Sequence, residues 1–237
     1  MNLSKTGVPH NGANFGIGTL AEEGMLGAND YFAAVALRSV GVELVPISRE
    51  HVSELSVIGA EPQIWRWMPT AHYAPDTMSA FVESALILRD GRRAVPFTTI
   101  DRLSGRVAGS TRFHFIEPEQ RRLEIGVTWV GLDFQRTHVN TEAKMLQMWY
   151  AFEVLGCRRV EWKTDAENHK SREAVLRLGA KEEGFFRKHM IYPDGRNRDS
   201  VYFALIDDEW PIVRKRLEAR LGHAFEPSFT LLDGHAR

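Results

Sequence analysis

Residues 122–130 read RLEIGVTWV, and residues 131–141, which follow directly, read GLDFQRTHVNT. In the first stretch every second residue is apolar, at Leu123, Ile125, Val127 and Trp129. This alternation is typical of a strand with one packed face and one smaller, more polar face. The strand is predicted to run through a loop into a helix, whose unpaired N–H groups and dipole attract anions. An ordinary strand-to-helix turn with Asn140 or Thr141 as N-cap explains the same residues.

Outward from this junction the chain alternates between helical and extended patterns. Downstream we predict a long helix over residues 139–155, buried on most sides and ended by Gly156, then a strand over 159–164. A helix over 168–178, strands over 181–192 and 199–206, and a final helix from Asp207 follow. Upstream, strands over 94–100 and 106–116 form an antiparallel meander with the 122–130 strand. A strand from Val42 and two helices, beginning at Ser48 and after Pro75, precede them.

This order indicates an α/β protein with one sheet. A helix that joins two strands of one sheet requires a crossover, which forces a parallel or splayed pair. We expect three segments: a flexible extension at 1–38, one domain at 39–222 and a tail at 223–237. The extension is inferred from scattered glycines without a sustained period. Its Gly16-Ile17-Gly18 lacks the preceding strand and third glycine of a dinucleotide loop.

Composition narrows the range of functions. Thirty basic and 31 acidic side chains give a net charge of −1, so we expect neither nucleic acid nor an anionic membrane as a partner. No apolar run is long enough to span a bilayer. Cys157 is the single cysteine, which fits a cytoplasmic location. The zinc-protease and paired-cysteine motifs and the nucleophile elbow are missing, so we expect no metal and no serine hydrolase.

Several segments resemble the GNAT superfamily, and within it the RimJ/RimL-like N-acetyltransferases, over roughly residues 42–221. Gln135 to Asn140 aligns with the coenzyme loop Q/R-x-x-G-x-G/A, although His138 and Asn140 stand where that pattern has small residues. Leu123 to Gly126 is similar to the family's E-I-G strand. Residues 168–171 (NHKS) are similar to its N-x-x-S segment, and residues 178–184 (LGAKEEG) to its L-G-F-x-x-E-G segment.

The resemblance implies a GNAT fold and acetyl-coenzyme A as cosubstrate. The fold is a mixed, mostly antiparallel sheet of six or seven strands, with helices on both faces and a splayed central parallel pair. The coenzyme would lie between the 122–130 and 159–164 strands. The residues implied to bind it are Trp129 and Val130 through the main chain, Asn168, and the loop residues Gln135, Arg136, Thr137, His138, Val139, Asn140 and Thr141.

The resemblance also assigns roles in the transfer. Glu124 would be the general base, unless it is a strand glutamate paired with a cation. Ser171 would protonate the departing thiolate, and Asn168 would bind pantetheine or water. Both could instead serve the helix start as caps. Many family members use a tyrosine for the thiolate, and His189 is a second candidate base.

The amine acceptor is left open among a protein or peptide amino terminus, an amino acid and a small-molecule amine. Trp65 and Trp67 would contact the acceptor, although core packing is the more frequent role of tryptophan. A homodimer is possible. The alternative from another class is a catalytically degenerate GNAT domain that binds acyl-coenzyme A or a protein partner, which the replaced loop glycines motivate.

Overall fold

The computed structural model describes residues 30–68 and 77–232 of the 237-residue chain. The strands in these ranges are β1 (Val35–Arg38), β2 (Val42–Pro46), β3 (Ala94–Asp101), β4 (Arg106–Glu117), β5 (Arg122–Val130), β6 (Arg159–Asp165), β7 (Lys181–Ile191), β8 (Asn197–Ile206) and β9 (Ser228–Leu231). The helices are α1 (Val52–Ile58), α2 (Met78–Asp90), α3 (His138–Trp149), α4 (His169–Leu178) and α5 (Trp210–Leu221). The predicted order of elements from β2 to α5 is confirmed.

The described strands form a single sheet in the order β7-β8-β6-β5-β4-β3-β2-β1-β9. Every neighbouring pair is antiparallel except β5 and β6, which run parallel. Only Arg122, Leu123 and Glu124 pair with β6, although β5 continues to Val130. The two strands therefore separate beyond Glu124, and the predicted splayed parallel pair is confirmed.

A bulge in β5 reverses part of the predicted alternation. Val127 has a φ of +46°, and the pairing of β4 with β5 shifts between Ser110 and Arg112. Leu123 and Ile125 consequently lie in one core, whereas Trp129 lies in the core on the opposite face. The prediction that Val127 and Trp129 share the face of Leu123 is wrong, because one inserted residue shifts the two-residue period.

Helices cover both faces of the sheet. α3, α4 and α5 bury the larger core with the inner residues of β5, β6 and β8, and α1 and α2 cover the smaller core on the other face. α3 is buried on most sides, as predicted, and continues as a π-helical turn at Tyr150–Val154. No described helix combines the length and apolar character that a membrane crossing requires.

The sheet is wider than the predicted six or seven strands. β1 lies within the segment expected to be a flexible extension, and β9, which pairs with β1, lies within the expected tail. Four-residue strands are too short to show a clear alternation, which is why the pattern missed them. Buried Glu142 on α3 holds the β1–β2 turn by accepting bonds from Ser39 Oγ (2.6 Å) and Gly41 N (2.8 Å). Two terminal segments lie outside the described residues: 1–29, which contains the Gly16-Ile17-Gly18 motif, and 233–237.

Candidate active site

The gap between β5 and β6 is the centre of the candidate site. β6 continues to Asp165 in pairing with β8, but its residues beyond Glu161 do not pair with β5. The edge of β5 beyond Glu124 that faces β6 is therefore open to a ligand that binds main-chain groups. The loop to α3 begins where this edge ends, at Gly131.

Two amides of the loop, directly before α3, are available at the wide end of this gap. Among the described residues, the N–H groups of Arg136 and Thr137 have no hydrogen-bond acceptor. Thr137 is the N-cap, and its Oγ1 accepts from Val139 N at 3.3 Å. Asn140 or Thr141, predicted as alternative caps, instead lie inside the helix. First-turn amides of a helix also lack intrahelical partners, so this end of α3 can bind an anion.

His138, which stands in place of the first loop glycine, turns its ring away from these amides. Its Nε2 lies 3.1 Å from Asp101 Oδ1 and 3.4 Å from Gly41 O, at the β2–β3 side of α3. Asn140 and Thr141 instead line a small cavity that includes Arg177. The larger side chain at position 138 therefore lies outside the region between α3 and α4.

Gln135 connects the two sides of the gap. Its Nε2 donates to Val130 O at 3.0 Å, and its Oε1 accepts from the Lys170 ammonium in the first turn of α4. Asn168 is the N-cap of α4, where its Oδ1 accepts from Ser171 N at 3.1 Å. The predicted loop and the N-x-x-S segment thus meet across the gap, and Lys170 adds positive charge beside the loop.

Glu124 lies at the last paired position before the strands separate. Its side chain is buried, with Oε1 3.1 Å from His114 Nε2 and Oε2 3.6 Å from Lys163 Nζ. Burial alone would raise the pKa of Glu124, but His114 and Lys163 outweigh burial and hold that pKa below its ordinary value. Glu124 is therefore an ionised carboxylate with two cationic or polar neighbours.

Four side chains on β4, β7 and β8 extend this cluster. Lys163 Nζ lies 4.8 Å from the ring centroid of Phe115 and 5.5 Å from that of Tyr202. Tyr202 OH is 3.3 Å from His189 Nε2, and the other ring nitrogen of His189 is 3.0 Å from Ser200 Oγ. Burial, with Lys163 and Arg198 nearby, lowers the pKa of His189, so this ring is neutral near pH 7.

Sequence reasoning missed His114, Lys163 and Tyr202 as members of this cluster. Lys163 follows Glu161 by two residues on β6, which places both on the face opposite Val160 and Trp162. That alternation gives the face of Lys163, but only the β5–β6 register brings Lys163 to Glu124. Tyr202 reaches the cluster through its pairing with Lys163.

The two predicted acceptor tryptophans lie in different surroundings. Trp65 is buried in the smaller core, with its ring centroid 4.9 Å from that of Trp129 and its Nε1 donating to Gly59 O at 2.8 Å. This placement favours packing for Trp65. Trp67 is half-buried and lines a groove of about 350 Å³ at the end of β7 and β8.

The groove has mixed charge. It is lined by Trp67, Asp165, Glu167, Arg187, Lys188, Tyr192, Arg196, Asn197 and Asp199. Asp165 is buried and accepts from Tyr192 OH at 2.5 Å, so its charge is not available to a ligand. No group of three or more metal-ligating side chains occurs in the described ranges.

A mixed sheet that opens between two parallel strands, with a helix amino terminus at the open end, defines the GNAT fold among α/β proteins. Residues 42–181 match the acetyltransferase (GNAT) domain. The chain belongs to this GNAT acetyltransferase family.

Individual relatives extend the match beyond the domain. YdaF of Bacillus subtilis, provisionally named a ribosomal N-acetyltransferase, is 29% identical over 173 residues, which are 70% of this chain and 90% of YdaF. A GCN5-related N-acetyltransferase from Brucella melitensis is 34% identical with a TM-score of 0.72, covering 78% of this chain and 85% of its own. RimJ of Mycobacterium smegmatis, solved with CoA-disulfide, shares the fold with a TM-score of 0.68 and 21% identity. The match covers 81% of this chain and 96% of RimJ. The predicted family and enzyme class are confirmed.

Proposed function

We propose that this protein transfers an acetyl group from acetyl-coenzyme A to a primary amine by direct attack in a ternary complex. The observation that carries the proposal is the continuous path from the open edge of β5 to the unpaired amides at the start of α3. Pantetheine pairs with the main chain at Trp129 and Val130, and the pyrophosphate lies against the amides from Arg136 onward. Lys170 and Gln135 border the phosphates, and Asn168 orients the pantetheine arm.

The transfer forms a C–N bond and breaks the thioester C–S bond. Glu124 accepts the proton of the acceptor ammonium, directly or through water, so that the neutral amine attacks the carbonyl. Ser171, in the first turn of α4, donates a proton to the departing thiolate and takes up the second proton that the nitrogen releases as the amide forms. The ionised state of Glu124 permits the base role, because a base must be unprotonated before the reaction, while its lowered pKa makes this carboxylate a weaker base than an ordinary glutamate.

The acceptor that we favour is a protein or peptide amino terminus. The groove beside Trp67 is open and of mixed charge, which suits an extended backbone with varied side chains. YdaF, whose name refers to ribosomal substrates, supports the same class of acceptor. Amino acids and small amines are the other acceptors to be compared.

Calorimetry with coenzyme A, followed by thiol release from acetyl-coenzyme A over peptides, amino acids and small amines, tests the proposal. We expect micromolar-range coenzyme binding, to order of magnitude, and turnover with at least one acceptor class. Absence of binding at about millimolar coenzyme A removes the cofactor assignment. Binding without thiol release above the enzyme-free rate favours a degenerate coenzyme-binding domain, the alternative that the replaced loop glycines suggest.

The pH dependence distinguishes Glu124 from His189 as the proton acceptor. We expect the ratio of kcat/KM between wild type and His189→Gln to stay constant from about pH 5 to 8, because Glu124 is ionised throughout. Both proteins are assayed with the same acceptor. Protonation of the acceptor amine then changes both values of kcat/KM equally and cancels in their ratio. A ratio that falls on the acid side, where His189 with its lowered pKa becomes protonated, assigns the base to His189.

A further inference from the structure

Lys144 on α3 is a buried amine without an anionic partner. Its side chain is almost fully enclosed, and its Nζ lies 2.8 Å from Thr111 Oγ1, 2.6 Å from Thr128 Oγ1 and 3.0 Å from Gln147 Oε1. No carboxylate among the described residues lies within ion-pair distance of it. Burial lowers the pKa of Lys144 well below its usual range, because an enclosed site disfavours the charged form of the amine.

Two of the three partners of Lys144, the threonines, lie at the bulge in β5. Thr128 directly follows Val127, the residue with φ +46°. Thr111 lies on β4 between Ser110 and Arg112, where the pairing with β5 shifts, and the two threonine hydroxyls are 2.8 Å apart. A β-branched residue rarely adopts positive φ, so this backbone needs support from its surroundings. The amine and the two hydroxyls connect both strands of the bulge to α3.

The bulge determines the direction of the edge that faces the gap. It lies between Glu124, the last residue paired with β6, and Trp129 and Val130, whose main chain is proposed to bind pantetheine. We infer that Lys144 is a positioning residue that holds the β5 bulge in the shape required for coenzyme binding. This inference rests on the proposed function.

A buried lysine with a lowered pKa makes the fold less stable as the pH falls. The folded pKa lies below the unfolded value, so the unfolded state binds more protons and stability from this group rises as the pH increases. Methionine has a similar length and no titratable group, so at this position it would not make stability depend on pH. Because Lys144 opposes folding as the pH falls, its place at the bulge fits a role in binding better than a role in stability.

Lys144→Met tests the inference, with Lys215→Met on the exposed face of α5 as the matched control. We expect Lys144→Met to fold with a Tm near or above wild type at pH 7. Its Kd for coenzyme A and KM for acetyl-coenzyme A should rise about tenfold, while kcat changes less than about threefold. The control should match wild type in all four quantities.

A folded Lys144→Met with unchanged coenzyme affinity overturns the inference. If that variant does not fold, Thr128→Val replaces it, since valine keeps the branched shape and removes the hydroxyl. A rise in Kd of about threefold or more supports the inference, and an unchanged Kd contradicts it. Wild type that fails to bind coenzyme A refutes the proposed function instead, so the two failures are distinguishable.

Discussion

Glu124→Gln is expected to lower kcat/KM for acetyl transfer by about 100-fold or more, with coenzyme A affinity within about twofold of wild type. Glutamine keeps the size of the side chain but cannot accept the ammonium proton. Because Glu124 lies where β5 and β6 separate, its loss leaves the loop and the start of α3 in place. Steady-state kinetics and calorimetry with coenzyme A measure the two quantities.

The substitution also removes the carboxylate that faces His114 and Lys163, so a stability loss of about 1–3 kcal/mol is expected. Urea unfolding separates this loss from the kinetic effect, and assays below the transition use folded protein. Glu117→Gln, at an exposed ion pair on β4, is the control and should keep full activity. Full activity in Glu124→Gln would remove Glu124 from the proton transfer.

His138→Pro is expected to weaken coenzyme A binding about 10- to 100-fold, because it removes one amide from the start of α3. Proline is tolerated at the first position of a helix, and Thr137 before it is already extended (φ −101°, ψ −174°). The helix should therefore form normally in this variant. Calorimetry measures the affinity, and circular dichroism checks the helix content.

His138→Ala is the matched control for this experiment. It removes the same imidazole, with its contact to Asp101, but keeps the N–H group. We expect its coenzyme affinity to lie within about threefold of wild type. If both variants bind coenzyme A as tightly as wild type, the position 138 amide does not bind phosphate. If both lose affinity to the same extent, the loss is due to the imidazole side chain and not to the amide.

Local sequence patterns predicted a large part of the fold. The alternation in 94–130 gave the meander, and the helical pattern after residue 138 gave α3 and hence the crossover that makes β5 and β6 parallel. The family segments located the loop at Gln135 and the cap at Asn168. The coenzyme, base and acid roles of these residues stay predictions.

The bulge at Val127 could not be predicted in this way. Valine ordinarily avoids positive φ, so no local preference marks the position. The bulge arises where β4, β5 and α3 meet, with Lys144 bonded to a threonine on each strand. Its effect is to move Trp129 to the smaller core, against Trp65.

By itself the sequence determined the family, the order and type of the elements from β2 to α5, and the loop that faces the open end of the sheet. These features are encoded by patterns and motifs of residues close together in the chain. The tertiary structure decided which side chains surround Glu124, where His138 points and what encloses Lys144. His114, Lys163 and Tyr202 come from three strands, and the distances between them depend on strand register. Register is set by packing across the whole sheet, which no local period encodes.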